Sequence, residues 1–130
     1  MRVLLDTNVF LWYILGDERL NQTTLEVIEN PDNEVLLSTV SLWEMAIKLK
    51  IGKLKFEFSW SQLLTEKILG NDLTILEISS NHIEPLLALP LYHRDPFDRL
   101  LIAQAIFEDI PIISSDEIMG LYPVQWISAQ

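Results

Sequence analysis

The sequence predicts an α/β fold, with helices on both faces of a short, mainly parallel sheet of four to five strands. Two observations lead to this prediction. Short apolar segments alternate with longer segments of helical periodicity, the order in which parallel sheets are built. The short segments are apolar on both faces, as strands are when helices cover both sides of a sheet. The predicted fold class is therefore a three-layer α/β/α sandwich.

Length and composition indicate one globular domain. The chain has 130 residues, predicted as a single domain over 1–130, and 49% of them are hydrophobic, with a mean hydropathy of +0.23. No apolar run approaches the ~18 residues of a membrane span, and the one before Asp6 is too short for a signal peptide. There is no cysteine, which excludes disulfides and thiolate chemistry. We expect a cytoplasmic protein without membrane contact.

The predicted strands are short and end at polar turn residues. They cover residues 1–5, 34–37, 73–78, 110–113 and, as an edge strand, 124–127. Helices are expected between Asp6 and Gly16 and over residues 20–30, 38–51, 60–69, 81–89 and 96–108. In the helix over 38–51, helical spacing predicts a buried face made of Leu42, Met45, Ala46 and Leu49.

The segment from His93 to Ala105 predicts a well-defined helix start. Asp95 suits the N-cap, and Pro96 suits the first helical position, where a missing N–H costs nothing. Asp98 then falls in the first turn, without a role in capping. The sequence after it is apolar enough to be buried.

The chain is strongly acidic. Nine Lys and Arg residues stand against 19 Asp and Glu, for a net charge of −10. This charge argues against non-specific nucleic-acid binding, and it fits a metal-binding acidic cleft or a basic protein partner. Lys48, Lys50, Lys53 and Lys55 fall within eight positions, either as a local positive patch or as a solvated helix end.

Four acids are predicted to meet at one edge of the sheet. Asp6 and Asp116 each follow a strand, and Glu44 and Asp98 each lie near the start of a helix. Because functional groups gather beyond the carboxyl ends of parallel strands, these carboxylates should converge and raise one another's pKa values. Mg²⁺ or Mn²⁺, which prefer oxygen ligands, would relieve the repulsion. This pattern predicts metal-dependent hydrolysis of phosphodiesters.

Each acid also has a purely structural interpretation. Asp6 and Asp116 could cap the helical segments that follow them, and Asp98 could interact with a helix dipole. Glu44 could complete a capping box with Ser41. No single capping role explains why all four acids share one edge, and this favours a joint site.

Other residue types carry weaker signals. His82 and His93 lack metal-ligand spacing, so surface or hydrogen-bonding roles are expected. The four tryptophans are expected in the core or at interfaces. With four glycines in all, a phosphate-binding glycine-rich loop is not expected.

Four segments, taken together and in order, resemble the PIN domain, in particular the VapC-type toxins of prokaryotic type II toxin–antitoxin pairs. They are Leu4-Leu5-Asp6-Thr7-Asn8-Val9, Ser41-Leu42-Trp43-Glu44-Met45-Ala46-Ile47-Lys48, His93-Arg94-Asp95-Pro96-Phe97-Asp98-Arg99 and Ile113-Ser114-Ser115-Asp116. The Asp-Pro-Phe-Asp-Arg segment is the most specific of them. The likeness spans nearly the whole chain.

The resemblance implies a Mg²⁺- or Mn²⁺-dependent endoribonuclease that leaves a 5′-phosphate. It implies an acidic catalytic and metal site made of Asp6, Glu44, Asp98 and Asp116. Ligand orientation or substrate binding is implied for Thr7, Asn8, Ser115 and Arg99. It also implies a homodimer and an antitoxin that inserts a segment into the cleft, with operator DNA bound only through the antitoxin.

Two other functions remain open at this stage. A non-catalytic PIN-like binding module would sequester a protein or RNA partner without binding metal. A phosphatase with an aspartyl nucleophile usually needs a second Asp two positions after the first, and position 8 is Asn, so this activity is disfavoured.

Overall fold

The computed structural model describes all 130 residues and contains a parallel five-stranded sheet. Its strands are β1 (Arg2–Leu5), β2 (Glu34–Ser38), β3 (Thr74–Leu76), β4 (Ile112–Ser114) and β5 (Trp126–Ser128). They are ordered β3-β2-β1-β4-β5, and every neighbouring pair is parallel. The prediction of a short parallel sheet is therefore confirmed.

Six α-helices connect the strands. They are α1 (Thr7–Leu15), α2 (Gln22–Glu29), α3 (Thr39–Lys50), α4 (Trp60–Gln62), α5 (Ser80–Ile83) and α6 (Pro96–Glu108). The two predicted helices at 60–69 and 81–89 are less regular than expected. The first becomes a π-helix at Leu63–Ile68 and a 3₁₀ turn at Leu69–Asn71, and the second becomes a 3₁₀ helix at Glu84–Ala88. No helix is both long enough and apolar enough to cross a bilayer.

The two faces of the sheet bury separate apolar clusters. Because side chains alternate along a strand, Val3 and Leu5 of β1 point to one cluster and Leu4 to the other. The first cluster packs against α1 and the segment after α4, and the second packs against α6. Helices thus cover both faces, which confirms the predicted three-layer α/β/α sandwich.

Helix α3 begins three residues earlier than the capping box required. Its N-cap is Ser38, whose hydroxyl accepts a hydrogen bond from the Val40 N–H at 3.0 Å. Glu44 consequently lies in the second turn, and its proposed capping box with Ser41 is wrong. The expected inward face is also only partly present, because Met45 is buried whereas Ala46 is exposed. Glu44 itself is buried, so its position needs another explanation.

The predicted start of α6 is confirmed. The Asp95 carboxylate accepts hydrogen bonds from the N–H groups of Phe97 (2.8 Å) and Asp98 (3.3 Å), and Pro96 is the first helical residue. We expect Asp95→Ala to lower the free energy of unfolding by about 1 kcal/mol, as measured by urea denaturation. Asp95→Asn, which keeps a capping oxygen, should retain most of the stability. An unchanged Asp95→Ala variant would show that the cap contributes nothing.

Candidate active site

The carboxyl ends of the five parallel strands define the edge at which the predicted acids meet. Asp6 directly follows β1, and Asp116 lies two residues beyond β4. Glu44 and Asp98 reach the same region from α3 and α6. Their proximity shows in their electrostatic coupling: the charges of Glu44 and Asp116 act on Asp6, and those of Glu44 and Asp6 act on Asp98. The structure thus brings all four acids together.

Asp6 is the most deeply buried of the three aspartates. Only 6% of the residue is exposed, and burial raises the pKa of its carboxyl to about 6. Hydrogen bonding from Ser114 and from the Val9 N–H opposes the rise in pKa, whereas the charges of Glu44 and Asp116 add to it. The bond from the Val9 N–H to Asp6 Oδ1 is 2.8 Å and caps α1. Asp6 therefore caps a helix and also belongs to the acidic cluster.

Asp98 has the largest perturbation in the cluster. Burial raises the pKa of its carboxyl to about 7, and the charge of Asp95 adds to the effect. The charges of Glu44 and Asp6 act in the same direction, while His93 opposes them. Since Asp95 already caps α6, Asp98 is free of a capping role. Near neutral pH the ionised form of Asp98 is therefore unfavourable, and a nearby cation would stabilise it.

Glu44 is held by partners on both carboxylate oxygens. The Thr7 hydroxyl donates to Oε1 at 2.8 Å, and the Lys48 ammonium donates to Oε2 at 2.6 Å. Because the Thr7 hydroxyl has one proton, it accepts from the Ser41 hydroxyl, 2.9 Å away. These contacts link α1 to α3 and explain why Ser41 and Glu44 are buried. Thr7 therefore orients an acidic side chain from beside it.

Asp116 is paired with His93. The distance between His93 Nε2 and Asp116 Oδ2 is 2.6 Å, and Asp116 Oδ1 accepts from the Ile118 N–H at 3.0 Å. The second contact caps the 3₁₀ helix Glu117–Leu121. Possible ligand atoms of His93, Asp98 and Asp116 all lie within 4.8 Å of one another. Sequence spacing had assigned His93 only a surface or hydrogen-bonding role, and the structure places that hydrogen bond at the acidic cluster.

A comparison of the sequence with known protein families identifies one match. The sequence matches the PIN domain family over residues 3–123. The chain belongs to the PIN domain family. No curated protein matches the sequence.

Solved structures show the same fold in this PIN domain. One is VapBC2 from Rickettsia felis, solved bound to a DNA fragment from its promoter. The match covers 100% of this chain and 100% of that chain, with 18% identity and a TM-score of 0.73. For DNA-bound VapBC from Salmonella typhimurium the identity is 15%, the TM-score 0.71, and coverage is 100% of this chain and 99% of that chain. VapBC-5 from Mycobacterium tuberculosis is 16% identical, with a TM-score of 0.58 and coverage of 99% and 98%.

The remaining residues predicted for the site differ in their placement. Asn8 is exposed, and the side-chain hydrogen bonds of the acids go to residues other than Asn8 and Ser115. The neighbouring Ser114 is the serine that contacts them, through Asp6 and through the Asp116 N–H at 3.0 Å. The serine that contacts the acids is therefore the last residue of β4, one position before the predicted Ser115.

The Arg99 side chain hydrogen-bonds to the loop that precedes α6. Its guanidinium donates to the carbonyl oxygens of Pro90 (2.8 Å) and Leu89 (3.4 Å). With His93 and Arg94 it lines a cavity of about 390 Å³ next to the acids. Arg99 therefore holds the loop in place, and a phosphate contact through its remaining donors stays a prediction.

The donor set of this PIN domain fits a hard divalent cation. All four acids offer carboxylate oxygens, which Mg²⁺ and Mn²⁺ prefer. Burial and mutual repulsion make the ionised forms of Asp6 and Asp98 unfavourable. A cation that binds between them would favour the ionised forms, so the cluster is suited to hold one.

Proposed function

We propose that this PIN domain is a divalent-metal-dependent endoribonuclease and the toxin of a toxin–antitoxin pair. The convergence of Asp6, Glu44, Asp98 and Asp116 at one edge of the sheet is the main support for this function. Capping accounts for Asp6 and Asp116, and Thr7 and Lys48 hold Glu44, but neither explains the half-buried Asp98 or why all four acids share one edge. A metal-binding site accounts for all four.

The four acids would have different roles in the site. Asp6, Asp98 and Asp116 would hold Mg²⁺ or Mn²⁺, which activates water and neutralises charge on a phosphodiester when bound. Glu44 has both oxygens engaged by Thr7 and Lys48, so it would complete the site by charge and by fixing its neighbours. The Lys48 ammonium, 2.6 Å from Glu44, would also face a phosphate that approaches the cluster.

Exposed lysine and arginine side chains would supply positive charge for an RNA backbone. Lys50, Lys53 and Lys55 follow Lys48 in sequence, are exposed and form no ion pair. Arg94 is exposed beside the cavity next to the acids. These local cations would contact phosphates although the whole chain carries a net charge of −10.

A protein partner would suit both the charge and the surface of this domain. VapBC-5 is described as a member of a family of toxin–antitoxin systems, and its fold matches over nearly the whole chain. Trp43, Ile47 and Ile51 form an exposed apolar stripe on and just after α3, one turn apart. We propose that such surfaces support a homodimer of the single domain 1–130 and an antitoxin with basic side chains for the acidic cleft. Operator DNA would then be bound only through the antitoxin.

Cleavage of RNA and binding of Mn²⁺ test this proposal together. The purified chain should bind Mn²⁺ in calorimetry, cleave single-stranded RNA in Mg²⁺ or Mn²⁺, and lose cleavage when EDTA is added. Absence of both cleavage and Mn²⁺ binding, with a protein partner still bound, would contradict the proposal and favour a non-catalytic binding module.

A further inference from the structure

We propose that His93, held in one tautomer by Tyr122, is a positioning residue that orients the Asp116 carboxylate toward the metal site. This inference rests on the proposed function, because it assigns Asp116 to a cation. It adds two residues, His93 and Tyr122, to the four acids. Neither would touch the cation or the RNA.

The contacts form a continuous chain from the protein interior to Asp116. The Tyr122 hydroxyl accepts a hydrogen bond from the His93 backbone N–H at 2.7 Å and lies 3.0 Å from His93 Nδ1. The other ring nitrogen, Nε2, lies 2.6 Å from Asp116 Oδ2. The two rings also stack, with an angle of 15° between their planes. Tyr122 is 4% exposed and His93 8%, so packing fixes both side chains.

This geometry selects one tautomer of the neutral imidazole. An ionised carboxylate only accepts hydrogen bonds, so the proton between His93 Nε2 and Asp116 Oδ2 belongs to Nε2. In the neutral imidazole, Nδ1 then carries no proton and accepts the single proton of the Tyr122 hydroxyl.

The same assignment distinguishes positioning from coordination. In the Nε2–H tautomer, both ring nitrogens are used, one by Tyr122 and the other by Asp116, so neither offers a lone pair to a cation. The Ile118 N–H holds the second oxygen of Asp116 at 3.0 Å. Each oxygen of that carboxylate still has a free lone pair, and both point in a direction fixed by protein donors. Such partners behind a metal ligand commonly change metal affinity by about 10–100-fold.

The first test reads the tautomer in the metal-free wild-type protein. The chain has only two histidines, so long-range ¹H–¹⁵N spectra at a pH well above the ordinary histidine pKa are simple to assign with a His93→Gln variant. We expect Nε2–H for His93, and a larger Nδ1–H fraction in Tyr122→Phe. Nδ1–H in the wild type would overturn the inference without any reference to activity.

The second test measures Mn²⁺ affinity. His93→Leu removes the donor to Asp116 and should weaken Mn²⁺ binding by about 10-fold or more. His93→Gln places an amide N–H near the position of Nε2 and should recover much of that loss. Tyr122→Phe should weaken binding in the same direction. The matched control is Tyr92→Phe, since the Tyr92 ring contacts Tyr122 edge-on but its half-exposed side chain lies outside the relay.

Circular dichroism and urea denaturation establish that each variant is folded before its affinity is compared. If His93→Leu is unfolded, Tyr122→Phe and the wild-type tautomer decide the question. Wild-type affinity in a folded His93→Leu variant, or a nitrogen ligand seen directly on Mn²⁺ by pulsed EPR, would overturn the positioning role alone. A wild-type protein that binds no Mn²⁺ would overturn the proposed function and this role with it.

Discussion

Asp98→Asn is expected to lower the rate of RNA cleavage by at least ~100-fold, the upper end of the loss when a partner outside the coordination sphere is removed. The substitution keeps the shape of the side chain but removes a negative charge from the predicted metal site. The variant should remain folded, because Asp95 and not Asp98 caps α6. It should even be more stable than the wild type in metal-free buffer near neutral pH, since the pKa of Asp98 is raised to about 7 by burial and neighbouring acids.

The measurement combines single-turnover cleavage of a labelled RNA with urea denaturation in EDTA. Asp32→Asn is the matched control, because it makes the same chemical change at an exposed position in the turn before β2, at the opposite edge of the sheet. It should leave both cleavage and stability unchanged. Wild-type cleavage by Asp98→Asn in Mg²⁺ would remove Asp98 from the site.

The gathering of the acids was predictable because it depends on topology more than on packing detail. Once short apolar segments alternate with helices, the strands must be parallel, and residues that follow them must share an edge. Asp6 and Asp116 follow from this rule alone. Asp98 follows from the Asp95-Pro96 helix start, which leaves it in the first turn and without a capping role.

Details that depend on side-chain direction were not predictable. The capping box of Glu44 with Ser41 was wrong because Ser38 and Ser41 are equally good N-cap residues in sequence. In the structure Ser38 caps α3, whereas the Ser41 hydroxyl contacts Thr7 across the fold at 2.9 Å. A rule based on neighbouring residues cannot predict this contact, because Thr7 and Ser41 are 34 positions apart.

His93 was missed as part of the cluster for a similar reason. Its partners Asp116 and Tyr122 lie 23 and 29 positions away, so no metal-ligand spacing marks it. Its place five residues before Asp98, in the loop that leads to the same helix start, was the only available signal. Ser114 and Ser115 are neighbours in sequence, and the pattern of residues did not distinguish Ser114 as the one that contacts the acids.

Stability should depend on pH and on metal in a linked manner. The folded-state pKa values of Asp6 and Asp98 are raised from 3.8 to about 6 and about 7. For groups raised in this direction, the stabilisation is fully present below the unfolded pKa and is lost as the pH rises through the folded value. The metal-free protein should therefore lose stability between about pH 4 and pH 7. At one pKa unit per 1.36 kcal/mol, Asp6 alone accounts for a loss on the order of 2–3 kcal/mol.

Mn²⁺ should reverse this loss, because it binds the ionised carboxylates that protons otherwise occupy. At 100 times its dissociation constant, a ligand of the folded state adds about 2.7 kcal/mol, so Mn²⁺ should stabilise strongly near pH 8 and weakly near pH 5. Asp6→Asn should flatten the dependence in EDTA while keeping the cap of α1, since Asn caps as well as Asp. Asp17, whose pKa is lowered to about 2 by hydrogen bonding to Arg19, affects stability only below this pH range. Equal stabilisation by Mn²⁺ near pH 5 and pH 8 would mean that the ion binds elsewhere than at the perturbed acids.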